Sequence, residues 1–534
     1  METSKKINIL VLGLVMILQL IIYAPHVGTG FVTDDFVWLE SNMVKGKVDF
    51  LRPFTVITGF YRPLTGLSFA WQYKLHGMNP GPYGWFNLLF HLVNILMVYV
   101  LVSSLKTFGK YALPVTVLFA LNAKGVPMAV GWISGRTTLL CAFFVLLSLY
   151  FYLQARNSTS PKTWSFKRTW RYLLVATAYA AALLSKETAI AVPVFVFLFV
   201  LLSPTTLDPK GKTGISIPLD GFLKKFRCAF YSILIFIPPL IVYFILRLQS
   251  NAYTPLDAPD IYRYTLEPGI LLKNVWEYLT RAGMLDILIL GGLVLVILFS
   301  RRNIKTGEGK KIDRPVLAAG IVWLMAFLLP LLPLPVRSDL YVYLPQVGIH
   351  FMTMTCMFYL WEKNRSFFNE RKKRFTVLLL LVLVLSTWMV SLFIRASEYG
   401  KAGEVSTNFT RQLIPAVSGM KNWQRLVIID PDSEKSSSLT RSISYGLDPL
   451  MALYYPQKNL KGEIIGVGRV SRWKDDPHNL YFFSWRDGRL LGPLSGKILI
   501  PTEIREKSQK PVHHRPQRLK KRKERLRRNK DQGK

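Results

Sequence analysis

Apolar residues run in blocks of fifteen to twenty, separated by short charged loops, from the N-terminus to about residue 395. At roughly 20 apolar residues per bilayer crossing, the pattern predicts about eleven membrane helices, near 7–25, 86–105, 111–130, 137–155, 171–185, 188–204, 227–247, 283–300, 315–333, 339–361 and 375–394. Lys5 and Lys6 precede the first block, and basic residues favour the cytoplasmic side. On that count Lys162, Lys167, Arg168 and Arg171, then Lys210, Lys212, Lys224, Lys225 and Arg227, then Arg301, Arg302, Lys310 and Lys311, and finally Arg365 and Arg371 to Arg374 all fall in cytoplasmic loops. Two places strain the count. The runs on either side of Ser185-Lys186-Glu187-Thr188 are short for a span, which allows tilting or re-entry, and Leu271, Val275, Trp276 and Leu279 read as an amphipathic helix at the interface.

Beyond about residue 395 the period changes. Residues 425–429, 462–470 and 479–485 read as strands, with turns at Asp430-Pro431-Asp432 and Arg486-Asp487-Gly488. The expected organisation is an all-α polytopic membrane domain over 1–395, a small extracytoplasmic α/β domain over 396–502, and a disordered basic tail over 503–534.

Composition agrees with this class: 51% of the 534 residues are hydrophobic and 13% aromatic. The first block lacks a small-residue cleavage site, since Ala24, Pro25 and His26 follow it, so it reads as a retained helix. Cys141, Cys228 and Cys356 all sit in apolar segments, which argues against a disulfide framework or a thiolate metal site. The net charge of +36 owes a quarter of its size to Arg515–Lys534, with eleven basic and two acidic residues. That tail is read either as a solvated end or as a polycation for anionic membrane lipid or polysaccharide. The remaining positive charge lies in membrane-flanking loops and no groove-reading motif accompanies it, so no nucleic-acid partner is expected.

The chemistry-bearing positions cluster on the non-cytoplasmic side of the count. Asp34 and Asp35 form a tandem acid about ten residues past the first span; either can act as a general base, and each perturbs the other's protonation. The bland alternative is loop solvation. Arg62, Arg136, Lys186, Arg247 and Arg337 fall at predicted outer boundaries and suit phosphate oxygens, against the plain reading of each as a snorkelling anchor. Arg62 and Arg337 stand beside prolines that fix the backbone: Pro63 in one case, Pro333 and Pro335 in the other. Glu187 is a candidate second acid, and His91 and Asn94 share one helical face, where they line a cavity or bond a neighbouring helix. His350 reads as an interhelical contact.

The order DDF, YRPLTGLSF, FHLVN, WISGR, LLSKET and SDLYVYLPQVG resembles the integral-membrane glycosyltransferases of the GT-C class, and is most similar to the branch of transmembrane and tetratricopeptide-repeat O-mannosyltransferases and their bacterial relatives. The resemblance covers about residues 1–395. It implies a polyprenyl-phosphate sugar donor, inverting transfer to a glycan, lipid or protein acceptor on the extracytoplasmic face, and a catalytic acid at Asp34 or Asp35. It also implies a multi-pass protein, with a bacterial inner membrane preferred and the site on its periplasmic face. Two departures stand out. Relatives carry a His-Pro pair and a glutamate before the WISGR-like run, whereas this chain reads LNAKGVPMAVGWISGR; a divalent metal is left open and no cofactor is assigned. The C-terminal region shows no 34-residue period. The rival readings are a flippase or transporter for lipid-linked saccharides and a catalytically inactive membrane scaffold.

Overall fold

The computed structural model describes residues 2–43, 59–156, 166–202, 219–250, 252–253, 258–299, 312–365, 370–433, 438–466 and 480–494. The basic tail and residues 467–479, which the strand expectations partly cover, lie outside the described residues. The chain divides into two compact units, Met1–Thr407 and Asn408–Lys534.

The first unit is helical. Its helices are α1 (Glu2–Tyr23), α2 (Asp34–Met43), α3 (Pro63–His76), α4 (Pro80–Ser103), α5 (Ala112–Ala120), α6 (Gly125–Gly131), α7 (Arg136–Arg156), α8 (Phe166–Ser185), α9 (Ala191–Leu202), α10 (Leu219–Ile233), α11 (Ile237–Leu248), α12 (Pro268–Phe299), α13 (Arg314–Leu328), α14 (Gln346–Lys363) and α15 (Arg371–Ala416). Every predicted apolar segment holds a helix, yet only seven of the described helices are long and apolar enough to cross a membrane alone, eight if the bent pair Thr107–Ala120 and Gly125–Gly131 makes one span. The expected count of about eleven thus exceeds what length and composition support. The reason is local: α8 opens on Lys167, Arg168 and Arg171, α9 has 12 residues, and α14 turns Gln346, His350, Thr353 and Thr355 inward. The amphipathic stretch of α12 is set off from its apolar half by a break at Gly283.

The core forms where these helices pack: α7 on α4 and α8, α9 on α10 and α13, and α14 on α12 and α13. Asn79 caps α4, its side chain accepting from Gly81 N at 3.1 Å, and Pro80 fixes the first turn. Inside the bundle, His91 and Asn94 bond neighbouring helices. His91 Nδ1 meets the Tyr343 hydroxyl at 2.8 Å and Nε2 meets Gln19 Oε1 at 3.3 Å, while Asn94 Nδ2 donates to the Leu139 carbonyl at 3.0 Å. His350 is likewise interhelical, its Nδ1 lying 2.9 Å from both oxygens of Asp286.

The segment before α2 buries Val27, Phe31 and Val32 and is also held by close contacts with α15. Thr29 Oγ1 donates to the Gly400 carbonyl and Thr407 Oγ1 to the Thr29 carbonyl, both at 2.8 Å. A Cβ on Gly30 would run into the Gly403 carbonyl, so the segment and α15 touch backbone to backbone. Gly30→Ala is expected to cost about 1–3 kcal/mol through overpacking, read as a lower thermal midpoint of the purified protein. Gly13→Ala, whose Cβ would meet nothing within 4 Å, should leave the midpoint unchanged or raise it, since alanine is the better helix former inside α1.

The second unit contains a four-stranded sheet in the order β2 (Lys461–Gly466), β1 (Arg425–Asp430), β3 (Leu480–Arg486), β4 (Arg489–Leu494). β1 is parallel to both neighbours, and β3 and β4 are antiparallel. Helices at Leu439–Ile443 and Leu447–Tyr454 lie between β1 and β2 in sequence. The hairpin turns on Asp487 (φ 49°) and Gly488 (φ 73°), the left-handed pair that a tight two-residue turn requires. β4 was not read from the sequence, because RLLGPL contains both Gly and Pro and scores poorly as a strand.

Candidate active site

The tandem acids divide into two different environments. Asp35 is fully buried. Its Oδ2 accepts from Val32 N at 2.9 Å, and its Oδ1 accepts from Ser134 N at 2.7 Å and also from the Ser134 hydroxyl. Both oxygens are therefore engaged by the protein, and the carboxyl ties the start of α2 to the Trp132-Ile133-Ser134-Gly135-Arg136 turn. Asn87 in turn holds that turn, its Nδ2 lying 3.0 Å from the Trp132 carbonyl and 3.1 Å from that of Ile133. Asp34, one residue earlier at the start of α2, is only half-buried. It lies within electrostatic reach of Tyr262, which also senses Arg62 and Glu187.

Burial pushes the Asp35 carboxyl up to about 7, against the opposing effect of its hydrogen bonds from Ser134 and Val32. The folded protein thus holds this proton more tightly than the unfolded chain, whose carboxyl titrates near 3.8. The stability this contributes is fully present below about 4 and is lost as pH rises through about 7. Between those limits the thermal midpoint of the wild type should decline relative to Asp35→Asn, which carries no titrating group. Parallel midpoint curves for the two proteins from pH 4.5 to about 7.5 would contradict this.

The five basic candidates separate into three settings. Arg62, at the start of α3, forms a two-pronged ion pair with Glu187: Nε to Oε2 at 2.9 Å and Nη2 to Oε1 at 2.6 Å. The Arg62 guanidinium also lies 4.3 Å from the Phe60 ring centroid. Lys186 is buried beside this pair, its Nζ donating to Thr138 Oγ1 at 2.7 Å and lying 5.4 Å from the Tyr341 ring centroid. Arg247 senses the same Glu187 carboxylate and is fixed by the Tyr253 carbonyl, 2.8 Å from Nη2, and the Tyr243 hydroxyl, 3.2 Å from Nη1. Three of the five thus gather around Glu187.

Arg136 is in a second setting, sealed in the protein. Its guanidinium is sandwiched between Phe69 and Phe86, at 4.3 and 4.5 Å from their centroids, and its nitrogens donate to Gln72 Oε1, Ser68 Oγ, Asn87 Oδ1 and the Tyr83 carbonyl. An arginine so enclosed braces α7 against α3 and α4 and leaves little to offer an incoming phosphate. Arg337 occupies the third setting, donating to Asn274 Oδ1 at 2.7 Å and facing Glu277 at 3.6 Å. The same carboxylate receives Arg281 at 2.6 Å, and Arg281 also reaches Asp339 at 2.9 Å.

Sequence reasoning missed Asn87, Ser134 and Tyr341. Asn87 was within reach of it, since Asn87, His91 and Asn94 share the i, i+4, i+7 face of α4. Ser134 carries no signal of its own outside the WISGR run. Among the described residues no group of three or more His, Cys, Asp or Glu side chains is placed to hold a metal ion.

The chain is similar to protein O-mannosyl-transferases, as its motifs imply. It is 36% identical over 146 residues to Protein O-mannosyl-transferase TMTC4 of Mus musculus, covering 25% of this chain and 20% of that protein. It is 27% identical over 229 residues to Protein O-mannosyl-transferase Tmtc1 of Drosophila melanogaster, covering 39% of this chain and 25% of that one. The matched region therefore spans a fifth to a quarter of the length of these relatives. No family model matches the chain. Among solved structures, ArnT from Cupriavidus metallidurans in the apo state aligns with a TM-score of 0.49 and 13% identity, over 91% of this chain and 94% of that one.

Proposed function

We propose that the chain is a membrane glycosyltransferase that moves a sugar from a polyprenyl-phosphate donor to an acceptor hydroxyl, with inversion, at the end of the bundle that carries Asp34. The observation that carries this reading is the division of labour between the acids. Asp35 spends both oxygens on the protein, and the half-buried Asp34 starts the helix that Asp35 fixes and shares Tyr262 as an electrostatic neighbour with Arg62 and Glu187.

In the proposed reaction the acceptor oxygen attacks the anomeric carbon, its proton passes to the Asp34 carboxylate, and the bond from that carbon to the phosphate oxygen breaks. The departing polyprenyl phosphate gains negative charge, which Lys186, Arg62 and Arg247 are arranged to meet. Glu187 takes Nε and Nη2 of Arg62 and so fixes the guanidinium, which preorganises its remaining N–H groups for a phosphate. The similarity to O-mannosyl-transferases supports a mannosyl or other hexosyl donor, and the basic loops of the opposite side support an extracytoplasmic site.

The test is release of polyprenyl phosphate by detergent-purified protein from a panel of polyprenyl-phosphate sugars, with a membrane extract as acceptor source. Release confined to one sugar and dependent on the acceptor supports the reading. Transport of an intact lipid-linked saccharide across a vesicle without release would replace it with the transporter reading.

A further inference from the structure

A second group of cations lies apart from Glu187, and most of its members have donors to spare. Asn122 begins it. Its side-chain oxygen accepts from Lys124 N at 2.9 Å and Gly125 N at 2.7 Å, and its Nδ2 donates to the carbonyls of Arg281, at 3.2 Å, and Ala282, at 3.0 Å. The break between α5 and α6 is thereby tied to α12, and Lys124 is brought within electrostatic reach of Arg281, Arg395, Asp339 and Glu398. Arg395 approaches Asp339 at 3.7 Å, while Arg337 shares Glu277 with Arg281.

The balance of charge is uneven. Four cations, Lys124, Arg281, Arg337 and Arg395, face two carboxylates, Glu277 and Asp339, with Lys273 and Glu398 on the exposed side. The side chains of the three arginines and two acids are only 20–31% exposed, so water compensates the surplus only in part. Arg281 gives one N–H to each of its two acids, and no hydrogen bond from Lys124 Nζ or from the Arg395 guanidinium is formed among the described residues. Arg136 marks the contrast: there a buried guanidinium is matched donor by donor with neutral acceptors. Partly desolvated cations with uncommitted N–H groups, converging from three separate elements, are what a phosphate needs and what a self-contained ion-pair network does not leave over.

We propose that Lys124 and Arg395, backed by Arg281 and Arg337, form a phosphate-ester site separate from the Arg62, Lys186 and Arg247 group. The inference does not depend on sugar transfer, because it rests on the surplus charge alone. The shared chemistry is a phosphate monoanion or dianion; its source is either a phospholipid headgroup of the surrounding leaflet or a soluble phosphate-bearing acceptor.

The experiment uses the full chain in detergent with two probes. Phosphatidylglycerol against phosphatidylcholine is followed by native mass spectrometry, and inorganic phosphate against chloride at equal ionic strength is followed by thermal shift. Lys124→Gln with Arg395→Gln should weaken the response by about tenfold or more, the value of a charge-assisted hydrogen bond or two. Lys124→Arg with Arg395→Lys should keep it, and so should Lys110→Gln, whose partner is Asp313. Selective retention of phosphatidylglycerol identifies the headgroup source, and stabilisation by phosphate without lipid retention identifies the soluble one. The assignment is overturned if neither probe distinguishes wild type from the double Gln variant, if the charge-conserving pair loses the response as well, or if Lys110→Gln abolishes it equally.

Discussion

Asp34→Asn is expected to lower sugar transfer by about 10²–10⁴-fold, the usual worth of a positioned general base, with little change in the thermal midpoint. The side chain is half-buried at the first position of α2, and the amide retains its size while losing the capacity to take a proton. Asp35→Asn should behave differently. Its carboxylate serves three donors at once, Val32 N, Ser134 N and the Ser134 hydroxyl. An amide oriented to accept from Ser134 turns its own N–H groups toward Val32 N, leaving a buried donor without an acceptor, at a cost of about 1–3 kcal/mol. Activity should then fall together with stability, and above about pH 7 part of the stability loss should be offset, because the wild type there carries a buried charge. The comparison is made on purified proteins by measuring kcat, KM and the thermal midpoint for both variants. Equal loss in the two, at equal stability, would mean that the carboxylates act as a unit and that the separation of roles is mistaken.

Lys186→Met is expected to lower kcat/KM for the donor by about 10²–10³-fold, comparable to the loss of one preorganised donor to a developing oxyanion. Stability should be unchanged or should rise. The ammonium is buried with Thr138 Oγ1 and the Tyr341 ring as its described contacts beside the Arg62–Glu187 pair, and a methionine of similar length fills the same space without desolvating a charge. A structural lysine would show the opposite pattern, with stability falling and kcat/KM following it. Measuring kcat/KM against donor concentration alongside the thermal midpoint separates the two.

The helical segments were legible because twenty apolar residues between charged loops leave the chain few alternatives. The number of independent spans was not, since α8 and α9 meet at the Ser185-Lys186-Glu187 turn and are stabilised by packing on α7 and α13 rather than by their own apolar length. For the site, residue type and position were enough to propose Asp34, Asp35, Arg62 and Lys186. They were not enough to rank them. Ranking needed the Ser134 bonds that occupy Asp35, the aromatic faces that seal Arg136, and the Asn274 oxygen and Glu277 carboxylate that draw Arg337 away from Glu187. All of these arise between segments 50 or more residues apart in sequence, where no local pattern announces them. Lys124 illustrates the same point, because its position before α6 reads as a loop residue until Asn122 ties that break to α12.

The central claim is direct displacement at the anomeric carbon with Asp34 taking the acceptor proton. Its most direct test is the anomeric configuration of the product, determined by NMR on sugar transferred by the purified wild type from a donor of known configuration, with released polyprenyl phosphate quantified in the same reaction. The account predicts inversion, with one polyprenyl phosphate released per sugar transferred. Retention of configuration would require a covalent or otherwise two-step route and would contradict the role given to Asp34.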